Sequence, residues 1–204
     1  MKYEWRKEEK KFYGAKEKVE IVEIPKQQFI MIDGLGNPNE TDFSNKVSAL
    51  YSLAYSIKML YKNMMKEEKD TEIKDFTVYP LEGIWKKLEE EKLDKNKLKY
   101  TIMIKQPDFI TQKNFNDALE VVKKKKPSIL YDEIYFNSLE EGKSIQVLHI
   151  GSYDDEPISF RKMEELMNEL NLVRASDYHR EIYLNNKNRT SIDKLKTILR
   201  YSIK

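Results

Sequence analysis

The chain has 204 residues, enough for one domain that buries roughly 70% of the surface its unfolded form exposes. Lys+Arg 37 against Asp+Glu 35 leaves a net charge of +2, which gives no whole-chain footprint for nucleic acid. Zero cysteines exclude disulfides, thiolate metal sites and cysteine nucleophiles; two histidines argue against a histidine-built metal centre. No apolar run approaches the ~20 residues of a membrane helix, and Met1–Lys7 lacks a signal-peptide core, so a soluble cytoplasmic protein is the expectation. Thirteen tyrosines, whose polar tips sit poorly in a dry core, suggest a wet aromatic surface.

Residues 1–18 are charge-rich and read as a loose arm or edge element. Residues 19–24 alternate apolar and charged and read as a strand, followed by a second at Gln28–Asp33. Gly34–Asn39 is a loop. Phe43, Val47, Leu50, Tyr51, Ala54, Ile57 and Tyr61 then mark one face of a long helix capped by Thr41 or Asp42. Phe76–Pro80 and Leu98–Ile104 read as strands, closing a first half at about 19–106. Residues 111–126 form a connecting helix whose Lys123–Lys126 end suits its negative pole. The second half, about 129–204, reads as strands at Ile129–Phe136 and Ser144–Ile150, a helix at Glu156–Leu170, and strands at Tyr178–Leu184 and Leu195–Ile203.

The halves repeat. Gly34 and Gly151 end matching strands, and Phe43 and Phe160 open the following helices at the same offset of 117 residues. Val78-Tyr79 answers Ile182-Tyr183, and Lys97-Leu98-Lys99 answers Lys194-Leu195-Lys196. The expected fold is α+β: two β-α-β-β halves with pseudo-twofold symmetry, antiparallel sheets carrying helices on one face, and a ligand cleft between halves. By strand parity, His179, Glu181 and Tyr183 face away from Arg180, Ile182 and Leu184. The reading packs Ile182 and Leu184 on the helices and turns the other three into the cleft. Residues alone leave Glu181 open between an ion-paired or solvated carboxylate and a general base or cation partner.

Four segments together resemble GyrI-like small-molecule-binding proteins: Tyr79–Trp85 (YPLEGIW), His149–Phe160 (HIGSYDDEPISF), His179–Leu184 (HREIYL) and Arg189–Arg200 (RTSIDKLKTILR). The resemblance covers about Val19 to the C-terminus. It implies the duplicated fold without a helix-turn-helix module, and is similar in its stand-alone form to cyclopropanoid cyclopropyl hydrolases. It also implies that Glu181 is the acid at the centre of the pocket. Trp85, by its place after Gly83, becomes a wall candidate, although a tryptophan is more often core. Tyr79, Tyr55 and Tyr183 join it, with His179 beside Glu181. Tyr135 and Phe136 lie on opposite strand faces, and the sequence leaves open which is inside; Tyr135 is kept as a ligand candidate. Tyr51 and Phe160 read as core, His149 as a packed strand histidine, Asp154-Asp155-Glu156 as a capping run ahead of a metal cluster, and Glu82 as a second-choice acid in a turn. No cofactor, metal, nucleic acid or membrane is expected. The expected function is binding of planar aromatic or cationic xenobiotics, with hydrolysis of cyclopropanoid DNA-alkylating compounds as its sharper form. The alternative is a non-enzymatic sensor or protein-interaction module, such as a regulator's effector domain or a topoisomerase modulator.

Overall fold

The computed structural model describes residues 1–86 and 98–204, so the repeat match at Lys97 lies outside the described residues. The N-terminal segment is docked rather than loose. Lys2–Tyr3 (β1), Trp5–Glu8 (α1) and Lys10–Tyr13 (α2) are short, but Trp5 and Tyr13 are buried and Phe12 packs against the core. Its many charges masked three aromatics that need burial.

Glu20–Ile24 (β2) and Gln27–Leu35 (β3) follow as predicted, and Thr41–Met64 (α3) buries Phe43, Leu50, Ala54, Ile57 and Tyr61. The strand expected at Phe76–Pro80 moves. Asp75–Phe76 (β4) pairs only with β1, and the longer strand is Leu81–Lys86 (β5). Pro80 has no N–H to give a ladder, so pairing begins after it. Lys99–Gln106 (β6) and Gln112–Lys125 (α4) come next, the helix opened by a Thr111/Asn114 capping box. The strand expected over Ile129–Phe136 divides. Ser128 accepts a hydrogen bond from the Leu130 amide and turns Ile129–Asp132 into a 3-10 turn, so that only Tyr135–Leu139 (β7) is extended. Gly142–Ile150 (β8), Glu156–Glu169 (α5), Tyr178–Tyr183 (β9) and Lys196–Ser202 (β10) complete the chain.

Among the described residues, eight strands form one sheet in the order β2-β8-β10-β9-β5-β6-β3-β7. All its pairs are antiparallel. Outward from the central β5–β9 seam, each side has the strand before its helix third and a leading strand at the edge. Those leading strands are exchanged. Only Pro25-Lys26 joins β2 to β3, yet the two stand six places apart. Six flat strand spacings cover about 29 Å, whereas the three residue steps from Ile24 to Gln27 reach at most about 11 Å. The sheet must therefore curl until its edges approach.

Cross-strand partners share a face. Ile32, Ile102, Gly83, Glu181, Leu199 and Val147 form one row across six strands. At one end α3 covers Ile32 and Ile102; at the other, Met163 and Met167 of α5 cover Leu199 and Val147. Gly83 and Glu181 sit in the middle, between the helices. The cleft and the helices thus occupy the same sheet face, not opposite ones as the parity reading placed them. The reverse face carries Glu82 and Ile182 at the seam and is covered by the N-terminal segment, whose Tyr13 hydroxyl donates to Glu82 at 2.8 Å.

Candidate functional site

A cleft of about 960 Å³ opens over the seam. Its walls come from α3 (Phe43, Tyr51, Tyr55), the segment entering β5 (Tyr79, Pro80, Leu81) and the turn that leads into α5 (Ser152, Tyr153, Glu156). Glu181 lies at the seam, with both oxygens held. The Tyr183 hydroxyl donates to Oε2 at 2.7 Å, and His179 Nε2 donates to Oε1 at 2.8 Å. Trp85 Nε1 in turn donates to the Tyr183 oxygen at 3.0 Å. The chain Trp85–Tyr183–Glu181 crosses directly over Gly83. A Cβ there would stand 2.6 Å from Trp85 Nε1, so glycine is needed for the indole to lie across the strand. Phe43 and Tyr100 hold that indole, with ring centroids 6.1 and 5.2 Å away.

Burial first, and then the negative charge of Glu181, push the Tyr183 phenol well above its ordinary range, so it remains a donor. Tyr153 packs edge-on against Tyr183 at 5.9 Å and is pushed up to about 12 by burial and by Glu156 and Glu181. Glu156 behaves most unlike its type. Burial, then Glu181, then Asp154 push its carboxyl up to about 10. As the first residue of α5 it feels the helix's positive pole, but that effect, about 0.3–1 kcal/mol, is less than one pKa unit. Burial and like charge win, and Glu156 carries a proton at neutral pH.

The model of the GyrI-like small molecule binding domain matches residues 17–202. The chain belongs to this GyrI-like family. A hydrolase from Listeria innocua is 34% identical, covering 100% of this chain and 100% of its own, with TM-score 0.89. An uncharacterized conserved protein from Listeria innocua is also 34% identical, over 99% of this chain and 100% of its own, with TM-score 0.89. The EcmrR C-terminal domain, 11% identical over 92% of this chain and 97% of its own at TM-score 0.54, shares the fold alone. A comparison with curated proteins gives no match.

Within this GyrI-like domain, Glu181, Trp85, Tyr55, Tyr79 and Tyr183 line one cleft. Tyr55 is the exposed one, at 55%. Tyr79 contributes its ring, while its hydroxyl donates to buried Glu9 beneath the wall. His179 is not a lining residue; it braces Glu181 and packs edge-on against Phe160 at 4.9 Å. Tyr135 lies elsewhere. It shares a face with Met31, and its hydroxyl donates to Asp33 at 3.1 Å, while Phe136 stacks on Phe115 of α4. Glu82, the second-choice acid, is in β5 rather than a turn. It lies on the reverse face, fully buried and ion-paired with Arg180.

Sequence reasoning missed Glu156, Tyr153, Tyr51 and Trp5 as cleft residues. Tyr51 does sit on the apolar stripe, but its oxygen accepts the Leu81 amide at 3.1 Å on the cleft wall. The acidic run does not cap α5 through its side chain: Asp155 is the N-cap residue and makes no side-chain cap hydrogen bond. His149 does pack in its strand. It donates from Nε2 to the Ser152 carbonyl at 2.8 Å and accepts from the Ser159 hydroxyl at 2.9 Å, tying the Glu156 turn to β8. Among the described residues, no acid–histidine group is arranged to hold a metal, and no helix is long and apolar enough to cross a membrane.

Proposed function

We propose that the cleft binds planar aromatic or cationic xenobiotics and that Glu181 directs water onto the cyclopropyl ring of cyclopropanoid DNA-alkylating compounds. The observation that carries this reading is a carboxylate at the centre of an aromatic-walled cleft, with both oxygens fixed by His179 and Tyr183. The 34% identity to a hydrolase over the full chain supports an enzymatic role. A flat ligand stacks against Tyr51, Tyr55 and Trp85, and a cationic one gains about 0.5–2 kcal/mol per good ring contact. A cyclopropane joined to a conjugated dienone opens when water attacks its free carbon. Glu181 takes the proton from that water, and the broken bond's electrons turn the dienone into an aromatic phenolate.

Product formation from a cyclopropanoid drug, followed by liquid chromatography, tests this directly. Wild type is expected to turn over, and Glu181→Gln to lose about 10²- to 10⁴-fold in rate with little change in affinity. Both tryptophans line the cleft, so quenching of their fluorescence by a planar cationic dye reports occupancy separately. Saturable quenching without product would establish a sensor instead.

A further inference from the structure

Glu156 has no part in the chemistry described for Glu181, yet it lines the same cleft. It is 7% exposed, and its Oε1 has no hydrogen-bond partner. Glu181 from β9 and Asp154 from the turn before α5 act on it, and Tyr183 and Tyr153 in turn feel its charge. They are two carboxylates and two phenols, so none of them offers a cation. A buried carboxylate with an unmatched oxygen beside a second carboxylate is expensive, whereas a neutral acid there costs less and gains a donor.

We propose that Glu156 is the neutral carboxylic acid that donates its proton to the carbonyl oxygen of the bound ligand. The cleft then becomes a two-carboxyl site suited to uncharged, carbonyl-conjugated aromatics. The proposal rests on the hydrolytic reading above and adds its proton donor. Two carboxyl groups in one site with their proton affinities driven apart form the usual acid–base pair. The upward push on the Glu156 carboxyl, to about 10, agrees with this division.

The step balances. The water oxygen bonds to the free cyclopropane carbon, and Glu181 accepts the water proton. The bond between that carbon and the ring breaks, and its electron pair passes through the dienone to the carbonyl oxygen. That oxygen takes the Glu156 proton and becomes the phenol hydroxyl of the single ring-opened product. One water is consumed and nothing is oxidised. Proton exchange with solvent restores Glu156 as acid and Glu181 as base.

The test follows turnover of a spirocyclopropyl cyclohexadienone by wild type, Glu156→Gln and Glu181→Gln across pH. It is paired with infrared spectra of the protein with and without 4,4-dimethylcyclohexadienone, which keeps the carbonyl but has no cyclopropane. Glutamine keeps a hydrogen-bond donor but cannot transfer a proton. Glu156→Gln is therefore expected to lose about 10²-fold in kcat with little change in KM, together with the alkaline fall of the wild-type rate. The infrared carbonyl band of a protonated acid should be present in wild type at neutral pH, shift when the dimethyl dienone binds, and vanish in Glu156→Gln. Undiminished turnover in Glu156→Gln, or a band that persists in it, overturns the proposal. If wild type shows no turnover but its band shifts on binding, hydrolysis fails while the donor role to a carbonyl ligand stands. With neither turnover nor shift, both fail.

Discussion

Gly83→Ala is the smallest change that reaches the centre of the cleft. The new methyl carbon would stand 2.6 Å from Trp85 Nε1 and 3.3 Å from the Tyr183 oxygen. Ordinary contact begins near about 3.5 Å, so the indole must move by about 0.9 Å. It has little freedom, because Phe43 and Tyr100 both pack against it and also touch each other, with ring centroids 5.2 Å apart. Overpacking of this kind costs about 1–3 kcal/mol. Moving the indole also stretches its 3.0 Å bond to Tyr183, worth about 1 kcal/mol when buried. Loss of glycine's backbone freedom returns about 0.5–1 kcal/mol. The net is a destabilisation of about 1–3 kcal/mol, or a fall in Tm of about 2–12 °C for a domain of this size. Calorimetry measures the stability, and dye titration measures the loss of affinity that accompanies a displaced Trp85. An unchanged Tm together with unchanged dye affinity would refute the account of why glycine stands there.

On the reverse face, Arg180 is fully buried, donating from Nε to Glu82 at 2.6 Å and pairing with Glu141 as well. Arg180→Met strands both carboxylates and should cost about 3–5 kcal/mol in urea denaturation; adding Glu82→Gln should recover part of it. A single-variant loss below about 1 kcal/mol would contradict the network. Glu156 also links stability to pH. Its folded form holds a proton that the unfolded chain releases above its ordinary value near about 4.3, and keeps it up to about 10. Over that window the native state binds more protons, so stability falls as pH rises. Glu156→Gln removes the effect. It should be more stable than wild type at pH 8, with the gap closing at acid pH, as read by thermal melts. A gap that widens in acid would reverse the assignment.

The helices were legible because Phe43, Leu50, Ala54, Ile57 and Tyr61 repeat at helical spacing, and strand parity put Glu181 on the face opposite Ile182. Two kinds of information were not. Parity separates Glu181 from Ile182 but does not say which face receives the helices. That follows from how α3 and α5 divide the row from Ile32 to Val147. Nor does a run such as Asp154-Asp155-Glu156 show that its last carboxyl is buried while the one before it is not. Burial there depends on Glu181 and Tyr183, which come from a distant strand. Tyr135 illustrates the same limit: only its pairing with Met31 shows that it turns away from the cleft.

The exchanged leading strands also shape how the chain reaches this structure. β2 finds its partner at Gln146 and Ile145, and β7 finds its partner at Gln28 and Phe29, so each half is completed by a strand that begins the other. Neither half can close its own sheet from contiguous chain. A truncation after Gln106 would leave β3 without its edge partner and β2 without any partner. The chain must close these long loops before the distant pairings reward it, the situation that slows folding to milliseconds or seconds. The two crossing links, Pro25-Lys26 and Glu140-Glu141, meet at one side chain. Arg180 reaches Gln27 just after the first link and Glu141 within the second. A single buried guanidinium thus clasps the interlocked ends, and folding is complete only once both crossings have closed around it.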